Sequence, residues 1–323
     1  MDRRVSVIAV SVILAAAIIV FMLTRVWGDL VLAAEHWNPL FLVPAVAFST
    51  AGWWLRGARY RSILGNLGIR AGLAFSTATV LISQTANLII PARLGDLVRV
   101  LILKHENLSG YSTGISSIVI ERFFDILTVA LLGLIALPFV LGVPSWVYYV
   151  IIIPLALCGA FVIILLALGK VQSENRIIAI LFSMIHEIRK ASLTPGAIVG
   201  LSGLSLVIWF TDIATTLSIA LMFRAEVALP VIILAVVVGN MVKAVPLTPG
   251  GIGTYEAAVA VILVLSGTGQ ATATLIAVSD HLVKNVVTAA GGALSIWLLG
   301  GWVVDAIRDA LRGKGGVEGA HGG

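Results

Sequence analysis

Eleven ionisable side chains sit inside otherwise apolar stretches of this 323-residue sequence: Arg93, Asp96, Arg99, Glu121, Arg122, Asp125, Asp212, Lys243, Glu256, Asp280 and Lys284, with His281 beside them. Near a bilayer centre each such charge costs about 2.5–3.5 kcal/mol before pairing or hydration offsets it, so a set of this size marks candidate sites. Two of them, Arg93 and Asp96, fall within an interruption, Pro91-Ala92-Arg93-Leu94-Gly95-Asp96, with Arg99 close behind, and a second interruption reads Pro246-Leu247-Thr248-Pro249-Gly250-Gly251-Ile252-Gly253. Proline removes a backbone donor and glycine frees the dihedrals, so each interruption should end one helix and start another. Half-helices beginning near Gly95 and Gly253 would turn N–H groups and the positive end of a dipole inward. With Arg93, Arg99, Arg122 and Lys243, the loop glycines Gly250 and Gly251, and hydrogen bonds from Asn87, Asn240 and Thr248, the set predicts a phosphate or carboxylate site. Asp96, Glu121, Asp125, Glu256 and Asp280 would supply countercharge or proton coupling. A phosphate-bearing lipid head group suits such a site, because its tails can stay in the bilayer.

Plainer uses of the same residues are ion pairs that hold helices together. Asp280 and Lys284 are one turn apart and can pair along their own helix, and Asp212 can serve similarly. Enzyme signatures are weak. Gly200-Leu201-Ser202-Gly203 with His281 imitates an intramembrane serine protease, but small residues of this kind are common where membrane helices touch. No His, Asp or Glu spacing suits a metal, no phosphate-binding loop of the nucleotidase type occurs, and the single cysteine, Cys158, excludes an intrachain disulfide. The sequence therefore assigns no catalytic residue, no metal and no cofactor.

The elements that must position these residues follow from composition. With 59% apolar and 11% charged residues, there is too little polar surface to coat a soluble globule of this size. We expect an all-α polytopic membrane protein: crossings at about 5–24, 40–55, 111–141, 148–168, 197–223 and 271–299, and two re-entrant broken hairpins within 73–103 and 230–265. The first crossing reads as a retained helix, not a signal peptide. Residues 1–312 form one transmembrane domain, 173–192 a helix on the interface, and 313–323 a disordered tail. Lys and Arg, including Arg56 and Arg59, then gather in loops on one side, leaving Arg25 and Arg224 on the other. That bias places both termini in the cytoplasm, the protein in the cell membrane, and explains the net charge of +5 without nucleic acid.

Setting Pro91 to Gly95 over Pro249 to Gly253 matches proline and glycine, with Asp96 and Glu256 following. Nearly the same offset sets Glu121, Arg122 and Asp125 against Asp280, His281 and Lys284. The halves, about 40–141 and 197–300, read as inverted copies, an arrangement used by secondary transporters.

Together these residues carry a resemblance. Trp53-Trp54-Leu55-Arg56 with Arg59, the run from Asn87 through Pro91, Arg93, Gly95 and Asp96 to Arg99, Glu121-Arg122 with Asp125, and Pro246 to Glu256 resemble the lysylphosphatidylglycerol synthase transmembrane-region family, also called flippase-like membrane proteins. The resemblance implies a stand-alone form without the synthases' aminoacyl-transfer domain, acting on phospholipids between leaflets. Where relatives often carry an Arg or aromatic cluster in the last crossing, this chain has Asp280, His281 and Lys284, which leaves the substrate open. The leading expectation is a flippase-like protein with membrane lipids as partners; its rivals are a lipid-binding accessory protein and a membrane-embedded lipid transferase.

Overall fold

A chain surrounded by lipid has to satisfy its backbone polar groups from within, and the α-helix does so inside a single segment. The computed structural model describes residues 19–22, 24, 37–90, 93–168, 175–245, 247–300 and 302–303, and among these it contains helices and turns but no strand. In chain order the helices are α1 (Leu42–Asn66), α2 (Leu73–Ile89), α3 (Asp96–His105), α4 (Tyr111–Ala136), α5 (Ser145–Leu168), α6 (Arg176–Ser192), α7 (Pro195–Met222), α8 (Leu229–Ala244), α9 (Thr254–Leu265) and α10 (Gln270–Leu299). Three of these, α5, α7 and α10, are long and apolar enough to cross a membrane on length and composition alone. Helices α1 and α4, of 25 and 26 residues, match them in length but carry clustered charge, Arg56, Arg59 and Arg61 in one and Glu121, Arg122 and Asp125 in the other.

The expected crossing at 40–55 is corrected by α1, which runs on to Asn66. Arg56 and Arg59, expected in a loop, therefore lie on a continuous helix, where partners in α4 and α7 accept their charge. The expected crossing at 5–24 lies outside the described residues except for 19–22 and 24, and the tail 313–323 lies wholly outside them. Within the expected interfacial stretch the described part is α6, which buries Ile188 and Ala191 against the body while Leu181 stays 54% exposed.

Both interruptions end their helices in the same way. Ile90 (ψ 119°) and Val245 (ψ 116°) leave the helical region because each precedes a proline, whose ring excludes that conformation one residue earlier. The chain then reverses through left-handed backbone: Arg93 (φ 54°) in the first break, Gly250, Gly251 and Gly253 (φ 62°, 76° and 84°) in the second. A shorter helix follows each break, α3 or α9, and then a long charged helix, α4 or α10. The order α1 to α4 thus recurs as α7 to α10.

Contacts across the molecule repeat this relation. Helix α1 lies along α7, α4 packs on α8, and α10 packs on α2, so each half's long charged helix covers the other half's first half-helix. Small residues set the approaches: a methyl on Gly133 would meet Val237, and one on Gly291 would meet Leu81. The largest apolar core surrounds α8, with Val129 and Leu132 of α4, Ile151 of α5 and Ile276 of α10 against it.

Candidate functional site

The first-half charges form one connected network. Asp96 opens α3, where a carboxylate complements the N-terminal dipole. Its Oδ1 accepts from Ser83, Gln84 and Asn87 of α2 at 3.2, 3.0 and 2.9 Å, and from Arg99 at 3.1 Å. Ser83 and Gln84 are neighbours and Asn87 follows one turn later, so one face of the helix delivers all three donors. Arg99, fully buried, grips Glu121 through both terminal nitrogens at 2.6 and 3.2 Å. Such a fork is the strong form of a charge-assisted hydrogen bond and holds planar geometry as well as charge. Arg59 reaches Asp125 at 2.6 Å and the Ser205 hydroxyl at 2.8 Å, and Arg122 bridges Asp96, Glu121 and Asp125 at 3.3 to 3.6 Å.

The second half builds its network differently. Asp280 accepts from Tyr255, Thr216 and Lys284 at 2.7, 2.8 and 2.9 Å. Lys243 Nζ stands 3.1 Å from His281 Nε2, and His281 Nδ1 stands 2.8 Å from Glu256 Oε1. An ammonium only donates, so Nε2 accepts and the Nδ1–H points at the carboxylate. The other Glu256 oxygen takes the Gly253 N–H at 2.7 Å. A chain of hydrogen bonds thus runs from Lys243 to the backbone of the second break. Between the halves, Arg56 pairs with Asp212 at 3.0 Å while its guanidinium lies 4.9 Å from the Trp53 ring centre.

Both networks face a cavity of about 390 Å³ between the halves, within the range of small-ligand sites. Its wall takes in Asn87, Arg93, Asp96, Glu121, Arg122, Asp125, Lys243, Thr248, Gly250 and Gly251 from the sequence-derived set, and Asn240 beside them. Gly95, Arg99, Gly253, Glu256 and Asp280 stand behind that wall, buried. At the second half-helix start the Gly253 N–H, expected to face a ligand, is instead given to Glu256. Arg99 likewise spends its guanidinium on Glu121, Asp96 and Ser83. The pairing expected along α10 between Asp280 and Lys284 is present.

Two cations on the wall differ from the rest. Arg56, Arg59, Arg99, Arg122 and Lys284 each have a carboxylate within 4.0 Å, but among the described residues Arg93 and Lys243 have none. They adjoin one another, with Arg93 Nη2 donating to the Lys243 carbonyl at 3.2 Å. Arg93 also holds its left-handed backbone without being glycine, a conformation costing roughly 1–2 kcal/mol, where the aligned residue of the second half is Gly251.

Sequence reasoning did not find the roles of Gln84, Tyr255, Trp209, Thr216 and Ser205. Neutral polar residues in membrane helices carry no periodic signal of their own. Trp209 lines the cavity with its indole N–H lacking a partner among the described residues, as do Arg122 Nε and Asn87 Oδ1.

Comparison with known proteins places this geometry in a lineage. Residues 8–292 match the family described as the lysylphosphatidylglycerol synthase transmembrane region. The chain is 30% identical over 356 aligned residues to the glycosyltransferase AglD of Haloferax volcanii, covering 96% of this chain and 57% of that protein. It is 26% identical over 220 residues to the UPF0104 membrane protein MJ1078 of Methanocaldococcus jannaschii, covering 66% of this chain and 93% of that protein. No solved structure matches.

Proposed function

We propose that this chain, which belongs to the lysylphosphatidylglycerol synthase transmembrane-region family, binds the anionic head group of a membrane lipid between its halves and passes it between leaflets. The observation that carries the reading is the pair Arg93 and Lys243, two adjacent cations on the wall of a membrane-embedded cavity, without carboxylate partners among the described residues. Burying a cation without countercharge is costly, and a phosphate supplied by a ligand removes that cost.

The partition of polar contacts supports movement. Each half keeps its dense network to itself, and among the described residues the seam is crossed by few polar links: Arg56 to Asp212, Arg59 to Ser205, Arg93 to the Lys243 carbonyl, Thr85 to the Thr288 carbonyl and the Asn38 N–H to the Met222 carbonyl. Rocking one half against the other would break these links and leave the networks whole. In this reading the two broken pairs enter from opposite sides as re-entrant hairpins, the halves are inverted, and the protein lies in the cell membrane with both termini cytoplasmic. The residues act by binding, not catalysis, since each carboxylate on the wall is held by a cation and none stands ready as a general base.

The test is reconstitution of the purified protein in liposomes carrying fluorescent anionic lipids, with leaflet exchange read by dithionite quenching. We expect exchange above that of empty vesicles, and its loss in Lys243→Met. Exchange equal to that of empty vesicles across several anionic head groups would refute transport. Saturable binding without exchange would select an accessory role, and a covalently altered lipid would select a transferase.

A further inference from the structure

We infer, building on the anion site proposed above, that Lys243, His281 and Glu256 form a proton relay that charges the cavity wall when an anion enters and discharges it when the anion leaves. The three groups stand in line, Lys243 Nζ 3.1 Å from His281 Nε2 and His281 Nδ1 2.8 Å from Glu256 Oε1. Lys243 and His281 line the cavity, and the buried Glu256 stands behind them. To discharge the wall, Lys243 gives a proton to Nε2 while the Nδ1–H proton passes to Oε1. One N–H bond breaks and one forms at the first contact; at the second an N–H bond gives way to an O–H bond. The products are an amine, the other tautomer of a neutral imidazole and a carboxylic acid, with no proton taken from solvent. Both hydrogen bonds survive with donor and acceptor exchanged, because Nε2–H then donates to the amine and the acid O–H to Nδ1. Separated charges in a weakly polar interior cost more than neutral groups, so the discharged setting suits the wall without a ligand. A phosphate beside Lys243 favours the charged one.

The surroundings single out Glu256 as the acceptor. Asp280, next to His281 in sequence, is held by Tyr255, Thr216 and Lys284, and the Tyr255 hydroxyl is spent on that contact although its ring centre lies 4.5 Å from that of His281. Asp212 on α7 pairs with Arg56 and lies 3.9 Å from Lys284, while Glu121 and Asp125 on α4 are held by Arg99 and Arg59. Arg93 reaches the Lys243 carbonyl, Lys243 is the one ionisable residue of α8, and α2, which packs on α10, carries none. The remaining Glu256 oxygen accepts the Gly253 N–H at 2.7 Å, where the backbone is left-handed. A carboxylate holds such a donor roughly twice as strongly as a neutral acid does, so charging Lys243 also tightens the second break. Occupancy of the cavity and stiffness of that break are thereby linked.

Infrared difference spectroscopy of the full-length protein in a carbonyl-free detergent tests the relay. An ether-linked phosphatidic acid serves as probe, since it adds no ester carbonyl, and native mass spectrometry of the same samples reads binding. The lipid should remove the carbonyl stretch of one protonated carboxyl group, and this loss should be missing in Glu256→Gln. Lys243→Arg, whose side chain keeps its proton, should show no such loss at saturating lipid. Lipid bound to the wild-type protein with no carboxyl stretch lost would overturn the relay. Persistence of the loss in either variant would do the same, and the arginine variant decides if Glu256→Gln does not fold. Failure of the wild-type protein to bind the lipid would instead refute the anion site on which the relay rests.

Discussion

Arg99 and Arg93 stand six residues apart and do opposite work. The buried Arg99 is tied on every side, so its replacement by lysine keeps the charge and loses the fork that spans both Glu121 oxygens. We expect Arg99→Lys to cost about 3 kcal/mol, the scale of breaking a buried ion pair, and to lower the thermal midpoint in detergent regardless of lipid. Arg93 predicts the reverse. Glycine at this position relieves the left-handed backbone, so Arg93→Gly should hold or raise the thermal midpoint while anionic-lipid binding falls at least about tenfold. A variant that lost stability and binding together would place Arg93 in the scaffold. The candidate residues themselves were legible because a charge in an apolar run stands out. Their division between strut and ligand contact was not, because Arg99 finds Glu121 22 residues away and Arg59 finds Asp125 66 residues away.

At the level of elements, the two breaks were readable from proline and glycine alone, since both act through the local backbone. The direction of the half-helix amides was not readable, because it depends on which acceptor reaches the turn; Glu256 reaches Gly253 from inside its own helix. The end of α1 was misplaced for a related reason: Arg56 and Arg59 look like the start of a loop until their partners in α7 and α4 are known. Trp53, Arg56 and Arg59 do carry a helical spacing that was available as a signal. The α2–α3 corner depends on Gly95, where an added Cβ would sit 2.5 Å from the Asn87 backbone nitrogen. Because backbone cannot yield as a side chain can, Gly95→Ala should destabilise by about 1–3 kcal/mol and lower lipid binding through the displaced Asn87. Unchanged unfolding and binding would show that the corner tolerates a wider approach.

For the whole molecule, the recurrence of α1 to α4 as α7 to α10 was partly visible in one offset between short motifs, while the exchange of long helices between halves left no mark in sequence. If leaflet passage requires the halves to move, a bond across α1 and α7 should stop it. An added Cβ at Gly52 lies 3.8 Å from the Thr211 Cβ, the usual separation in a disulfide; only the flexible end of Arg56 has to swing aside. In a Cys158→Ser background, oxidised Gly52→Cys with Thr211→Cys should bind lipid yet lose at least about 90% of leaflet exchange, regained on reduction, since exchange is gated by the motion. Exchange that continued in the cross-linked protein would exclude rocking along this seam.

The mutual cover of α4 on α8 and of α10 on α2 has a consequence for ancestry and assembly. The first half keeps one small core to itself, around Tyr60, Leu64, Val80 and Leu103, but the largest core is built from both halves, and much of the surface each must hide is hidden by the other. A single half would have to find a second copy before it could settle, as in a swapped homodimer. Two fragments severed between α6 and α7 should accordingly be unstable when produced alone and rescue one another when produced together.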